Sequence, residues 1–268
     1  MTMTLAEGFL SPPAHIPLNP VASWAITAAA ILLTLVAAAY CARETIRTRS
    51  ALPFTVFASS MTWLPIEAFV DIPMALWHNS DNQLIAMWVL GRPLPLYVAS
   101  TGGAFFLGAW GYYQLILRGA SMSSIVKLGL AMGVLDWVLE MTSAQLGVIN
   151  YYGNNPSLVF GLPLYSMVQN IGVYVLQAIV VAMLVPHLMG WRQVALLPVI
   201  PGVYLAYAFG CTWPAYMAVQ SQTSALVAWP LIIVSVILNG VIPLAALSAY
   251  VAHRDHKYER KFLEAPVH

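Results

Sequence analysis

Charge is scarce in this chain, and that scarcity sets the solvent. Only 8% of the 268 residues are Asp, Glu, Lys or Arg, while 60% are hydrophobic. An ordinary soluble domain carries about 25% charged residues. So little polar surface cannot solvate a globule, and lipid is the expected surround. Cysteine is nearly absent. Cys41 and Cys211 both fall in apolar stretches, which excludes a disulfide framework and leaves two small buried hydrophobes. No cation precedes Arg43, so the first apolar run lacks a basic flank and no cleavable signal peptide is expected. The net charge is +1 and the basic residues form no continuous face, so nucleic acid is not an expected partner. No internal repeat stands out, which argues against a transporter built from duplicated halves.

Several chemistries lack their residues. The last apolar run holds no lysine for a retinal Schiff base. His78 and His187 fall at opposite edges of their runs, so no axial haem pair forms. Three histidines at one depth, as a zinc hydrolase would want, are missing. There is no serine nucleophile elbow and no phosphate-binding glycine loop. Acidic clusters dense enough for Mg²⁺-diphosphate chemistry are missing too, since 67-EAFVD-71 and 136-DWVLE-140 are sparse and the cations lie elsewhere. No metal and no cofactor is therefore expected.

Apolar runs are abundant. Seven stretches, near 21–42, 51–76, 94–117, 124–149, 164–188, 194–218 and 225–251, meet the ~20-residue length of a membrane helix. They fill the chain, so residues 1–268 read as one all-α, polytopic domain of about seven transmembrane helices. A short segment 1–20 would precede it and a tail 252–268 would follow. Arg43, Arg47, Arg49, Arg118, Lys127, Arg192, Arg254, Lys257, Arg260 and Lys261 fall in alternate connections, and Arg92 alone falls in the others. The positive-inside rule then predicts an extracytoplasmic N-terminus and a cytosolic C-terminus. On the outer side, 77–93 and 150–163 mix Trp, Tyr, His and Asn with apolar residues, a pattern expected of lids over the outer mouth.

Of ten acidic residues, Glu67, Asp71, Asp136 and Glu140 fall within spans. Each pair is spaced i, i+4 and shares one helix face. Glu67 lies roughly 24 Å above the inner start of its span, and Glu140 comes to a similar height. Such residues face the bundle interior and mark function. Without a lysine or arginine at that depth, Arg92 of the outer loop excepted, they are expected as neutral acids able to release a proton. Trp63 stands four residues before Glu67, and Trp137 follows Asp136. Tyr165, Trp213, Tyr216 and Trp229 lie at outer span ends, while Gln169, Asn170 and Asn239 add neutral polar groups. Aromatic faces stabilise cations. Substrate contacts are therefore expected from Trp63, Trp137, Tyr165, Asn170, Trp213 and Trp229.

With its size, span count and intramembrane acid in 61-MTWLPIEAFVD-71, the chain resembles the integral-membrane terpene cyclases of fungal meroterpenoid pathways and their bacterial relatives. The stretch 140-EMTSAQLGVINYYGNNPSLVFGLP-163 is similar to carotenoid-pathway membrane cyclases and hydratases. The resemblance implies protonation of an alkene or epoxide, then a carbocation cascade, with Glu67 at the position of the family's first acid. The family's late-span acid has no counterpart, since the seventh run offers only Asn239. That role falls to Asp136 or Glu140. Among the catalytic candidates Glu67, Glu140, Asp136 and Asp71, Glu67 and Glu140 are expected as the acid, or acid and base, with Asp136 as their partner or proton relay. The expectation is a metal-independent cyclase or isomerase of a lipophilic isoprenoid, in contact with membrane lipids. A proton-coupled carrier or a receptor-like seven-helix protein is the alternative, because intramembrane carboxylates serve proton coupling equally well.

Overall fold

The computed structural model describes residues 9–13 and 15–263, the side chains of 255–263 excepted. Helices dominate. They are α1 (Pro20–Thr48), α2 (Leu52–Met61), α3 (Leu64–Met74), α4 (Leu96–Leu117), α5 (Met122–Gln145), α6 (Leu164–Leu184), α7 (Val199–Gln220) and α8 (Ala225–Leu263). Among the described residues, five helical stretches are long and apolar enough to cross a membrane: Pro20–Thr48, Met122–Gln145, Leu164–His187, Gly190–Gln220 and Ala225–Arg254. α4 has the length, with 22 residues, but its apolar run is diluted by Gly, Ser, Tyr and Gln.

The stretch expected to cross at 51–76 is not one helix. It breaks at Thr62–Trp63 into α2 and α3, which have 10 and 11 residues. Pro65 sits in the first turn of α3, where its missing N–H costs nothing. Continued upstream, the same ring would clash with the carbonyl of Met61, so α2 has to stop. The fourth run ends at Gln145 rather than 149, because Gly147 turns with φ +71°. The sixth begins as a 3₁₀ segment, Gly190–Leu196, before Pro198 and α7. α8 continues helically through the expected tail as far as Leu263, and 264–268 lie outside the described residues.

α6 is the hub. It packs against α4, α5, α7 and α8. Half of its apolar window is buried against 17% for α1 and α5, which turn Leu32, Leu35, Leu135 and Leu139 outward. Small residues let the helices approach closely. A Cβ on Gly103 would come within 2.7 Å of Thr34 Cα on α1, and one on Gly108 within 2.5 Å of the Tyr174 ring on α6.

The two segments read as lids meet each other at one end of the bundle. β1 (Leu76–His78) and β4 (Ile149–Tyr151) pair antiparallel, with Leu76 opposite Tyr151 and His78 opposite Ile149. β2 (Ile85–Val89) pairs with β3 (Arg92–Pro95), and β5 (Leu158–Val159) with β6 (Leu162–Pro163). The Asn79 side chain donates to the carbonyls of Ile16 and Gly147, and that of Gln220 to Ile72 and Pro73. This cap ties together the start of α1 and the ends of α3, α5 and α7. Arg43, Arg47, Arg49, Arg118, Lys127 and Arg192 belong to the opposite end, since successive helices alternate in direction.

Candidate functional site

Beneath the cap, the four acids form two sets. On α5, one turn of helix aligns Asp136 with Glu140, and Asn170 of α6 faces both. The Asn170 amide donates to Asp136 Oδ2 at 2.7 Å and to Glu140 Oε1 at 3.3 Å. The other Glu140 oxygen accepts from the Tyr151 hydroxyl at 3.3 Å. Burial raises the Tyr151 phenol well above the ordinary tyrosine range, and the adjacent Glu140 adds to the rise, so this hydroxyl stays a donor. Among the described residues no ion pair reaches Asp136 or Glu140.

The second set is on α3 and β1. Glu67 and Asp71 share a face of α3, and the turn at Ala75 (φ +55°) brings His78 of β1 back over them. His78 Nε2 lies 3.4 Å from Asp71 Oδ2 and 3.8 Å from Glu67 Oε1. On the far side of the ring, Nδ1 is 2.7 Å from the Tyr97 hydroxyl, which itself lies 3.4 Å from the carbonyl of Val148. Tyr97 donating to that carbonyl accepts from Nδ1–H, so Nε2 is the ring atom that faces the carboxylates. Burial alone would lower the affinity of the ring for positive charge. The oxygens of Tyr97 and Asp71 outweigh it and hold the His78 pKa well above the ordinary histidine value.

An aromatic wall packs beside the α3 and α6 elements that carry these groups. Trp63 packs on Tyr204 with centroids 4.1 Å apart and on Phe105 at 5.0 Å, and Phe105 meets Tyr174 at 5.6 Å. Trp63 lies one helical turn before Glu67 at the start of α3, and Tyr174 shares α6 with Asn170, so the rings neighbour residues of both sets. Behind it, Gln169 donates to Tyr204 and accepts from Thr212, while Asn239 donates to Thr212. These fully buried amides of α6 and α8 fix the wall from inside the bundle. Beside the α2–α3 break, a cleft of about 500 Å³ between α3 and α7 opens on the flank of the bundle, lined by Thr62, Ile66, Pro201, Gly202 and Leu205.

Several sequence expectations change here. The acids are not all without a cationic partner, because His78 folds back onto Glu67 and Asp71. The expected absence of a metal-ligand set also fails, since donor atoms of Glu67, Asp71 and His78 lie within 4.8 Å of one another. Arg92 is buried in the cap, where it donates to Leu76 O and Tyr152 and lies over the Trp77 ring, 5.4 Å away. Trp213 and Trp229 point outward, 50% and 37% exposed, because their neighbours Thr212 and Ala228 face in. They belong to the outer surface and not to a substrate wall. Trp137 directs its indole N–H to the Met167 carbonyl at 2.7 Å and braces α5 against α6. Tyr165 donates to Met74 O and pins the start of α6 to the end of α3. Trp63 packs on Phe105 and Tyr204, and Asn170 faces Asp136 and Glu140. Tyr97, Tyr151, Tyr174 and Tyr204 were not singled out. Tyr151 lay within a segment flagged for its aromatics, whereas the others carry no sequence signal beyond being aromatic.

Comparison with protein-family models, with curated sequences and with solved structures finds no match to this chain.

Proposed function

We propose that this protein is a membrane-embedded acid–base enzyme that cyclises or isomerises an isoprenoid or similarly apolar lipid. The observation that carries the reading is the Asp136–Glu140 pair. Two carboxyls share one amide donor, lack a cation, and border an aromatic wall beneath a tied cap. In the proposed step the Glu140 O–H bond breaks, and its proton forms a new C–H bond at an alkene, or an O–H bond as an epoxide C–O bond opens. The carbocation closes onto a second double bond of the same chain or shifts along it. A neighbouring C–H then yields its proton to the carboxylate pair, so the enzyme is restored and the product is an isomer of the substrate. Trp63, Phe105, Tyr174 and Tyr204 would stabilise the cation through their faces, and exclusion of water would keep it from premature capture. We take α2 and α3 as one broken crossing. The bundle then crosses seven times, with the N-terminus extracytoplasmic and the C-terminus cytosolic, as the cation asymmetry requires.

Comparing the lipid extracts of a host with and without the chain, supplied with polyprenyl alcohols and epoxides, tests the reading. A new isomeric product should appear. Glu140→Gln and Asp136→Asn should each insert and fold yet reduce it by ~10² or more, the scale of general acid catalysis. Undiminished product in both single variants and in the double variant would remove Glu140 and Asp136 from the mechanism. A proton-coupled carrier would instead move protons into sealed vesicles while altering no lipid.

A further inference from the structure

We infer that Glu67, Asp71 and His78 form a binding site for one divalent cation. The argument begins with distance. Nε2 of His78 stands 3.4 Å from Asp71 Oδ2 and 3.8 Å from Glu67 Oε1, both longer than the about 2.7–2.9 Å of a charge-assisted N–H···O bond. A proton shared between these atoms would draw them closer. A metal would not, because bonds of about 2.0–2.2 Å set neighbouring ligand atoms roughly 3.3 Å apart in a tetrahedral shell and roughly 3.0 Å in an octahedral one.

The second observation is independent of distance. The side chains of Asp71 and His78 are only 2% and 5% exposed. Asp71 Oδ2, His78 Nε2 and Glu67 Oε2 are all buried without a hydrogen-bond partner. Buried polar atoms left without partners are costly separately, and a cation held by one atom from each of the three residues, whose donor atoms lie within 4.8 Å of one another, would offset that cost. Tyr97 completes the case. It engages Nδ1 at 2.7 Å and so fixes the ring with Nε2 inward, as the outer partner of a metal-bound histidine does. Two carboxylates balance the charge of a dication. The mixed nitrogen and oxygen donors, without thiolate, suit Zn²⁺, Mn²⁺ or Fe²⁺ better than Ca²⁺. Three protein ligands leave at least one position for water or for an oxygen atom of a lipid. The site goes beyond the proton-transfer reading and does not depend on it, since that reading rests on Glu140 and Asp136.

The test uses the full chain without a histidine tag, purified in detergent, stripped with chelator and titrated with Co²⁺ as the probe. Calorimetry should give one ion per chain, with visible absorption bands that Zn²⁺ abolishes by displacement. Asp71→Asn and Glu67→Gln, both isosteric, should weaken binding at least tenfold. Tyr97→Phe, a change at a positioning residue, should weaken it about 10–100-fold. Asp136→Asn should leave it unchanged. Failure of the folded wild-type protein to bind an equivalent of Co²⁺ overturns the site, as does wild-type affinity in all three variants. Co²⁺ binding without any lipid conversion supports the site and sinks only the proposed reaction. Conversion that depends on Glu140 in a protein that binds no Co²⁺ does the reverse.

Discussion

Asn170 is the residue on which the α5 acids depend. Among the described residues it is the one amide that donates to both carboxyls. Asn170→Ala should cost about 1–3 kcal/mol of stability, the range for stranding buried polar partners, read as a lower melting temperature in detergent. Trp213→Ala and Trp229→Ala should leave conversion unchanged, because both side chains face outward, whereas Trp63→Ala should abolish it by opening the wall. At this scale the sequence was legible where spacing carried direction. The i, i+4 intervals placed Glu67 with Asp71 and Asp136 with Glu140 before any coordinates. It was illegible where direction comes from a turn. His78 reaches the acids only because Ala75 adopts a left-handed conformation and reverses the chain. Trp213 and Trp229 show a different limit, since an aromatic within a hydrophobic helical run does not announce which way it faces.

Helices in this bundle are spaced by glycine. Gly103→Ala would press a methyl against the backbone of α1, which a side chain cannot relieve by rotating, and should cost about 1–3 kcal/mol as overpacking. Gly108→Ala meets the root of the Tyr174 ring instead. It should tilt the ring away from Asp136 and Glu140, so conversion should fall further than the melting temperature does. Measuring both quantities in both variants separates the two outcomes. Apolar length made most helices legible. Pro65 was visible too, but a proline marks a break only once the neighbouring halves are known to stop there. The strands were beyond reach, because each has two to five residues. The partner of β1 lies more than seventy positions downstream, and no local periodicity encodes that pairing.

For the molecule as a whole, the alternation of helix ends sends Arg43, Arg118 and Arg192 to one side and the cap to the other. Reporter fusions at His268 should therefore be active only in the cytoplasm, and a fusion that reports from outside would reverse the orientation. The β1–β4 ladder has a further consequence. Its two strands carry His78 and Tyr151, one group from each acid set, so the cap works as a buckle rather than a hinged door. Lifting it would separate His78 from Glu67 and Asp71, and Tyr151 from Glu140. On the proposed reading a lipid then arrives sideways, through the flank beside Thr62 and Ile66, and the reaction responds to its abundance in the plane of the bilayer. Turnover should obey surface dilution. Adding inert phospholipid at fixed substrate and protein should slow conversion in proportion, while diluting the same vesicles with buffer should leave the rate per protein untouched.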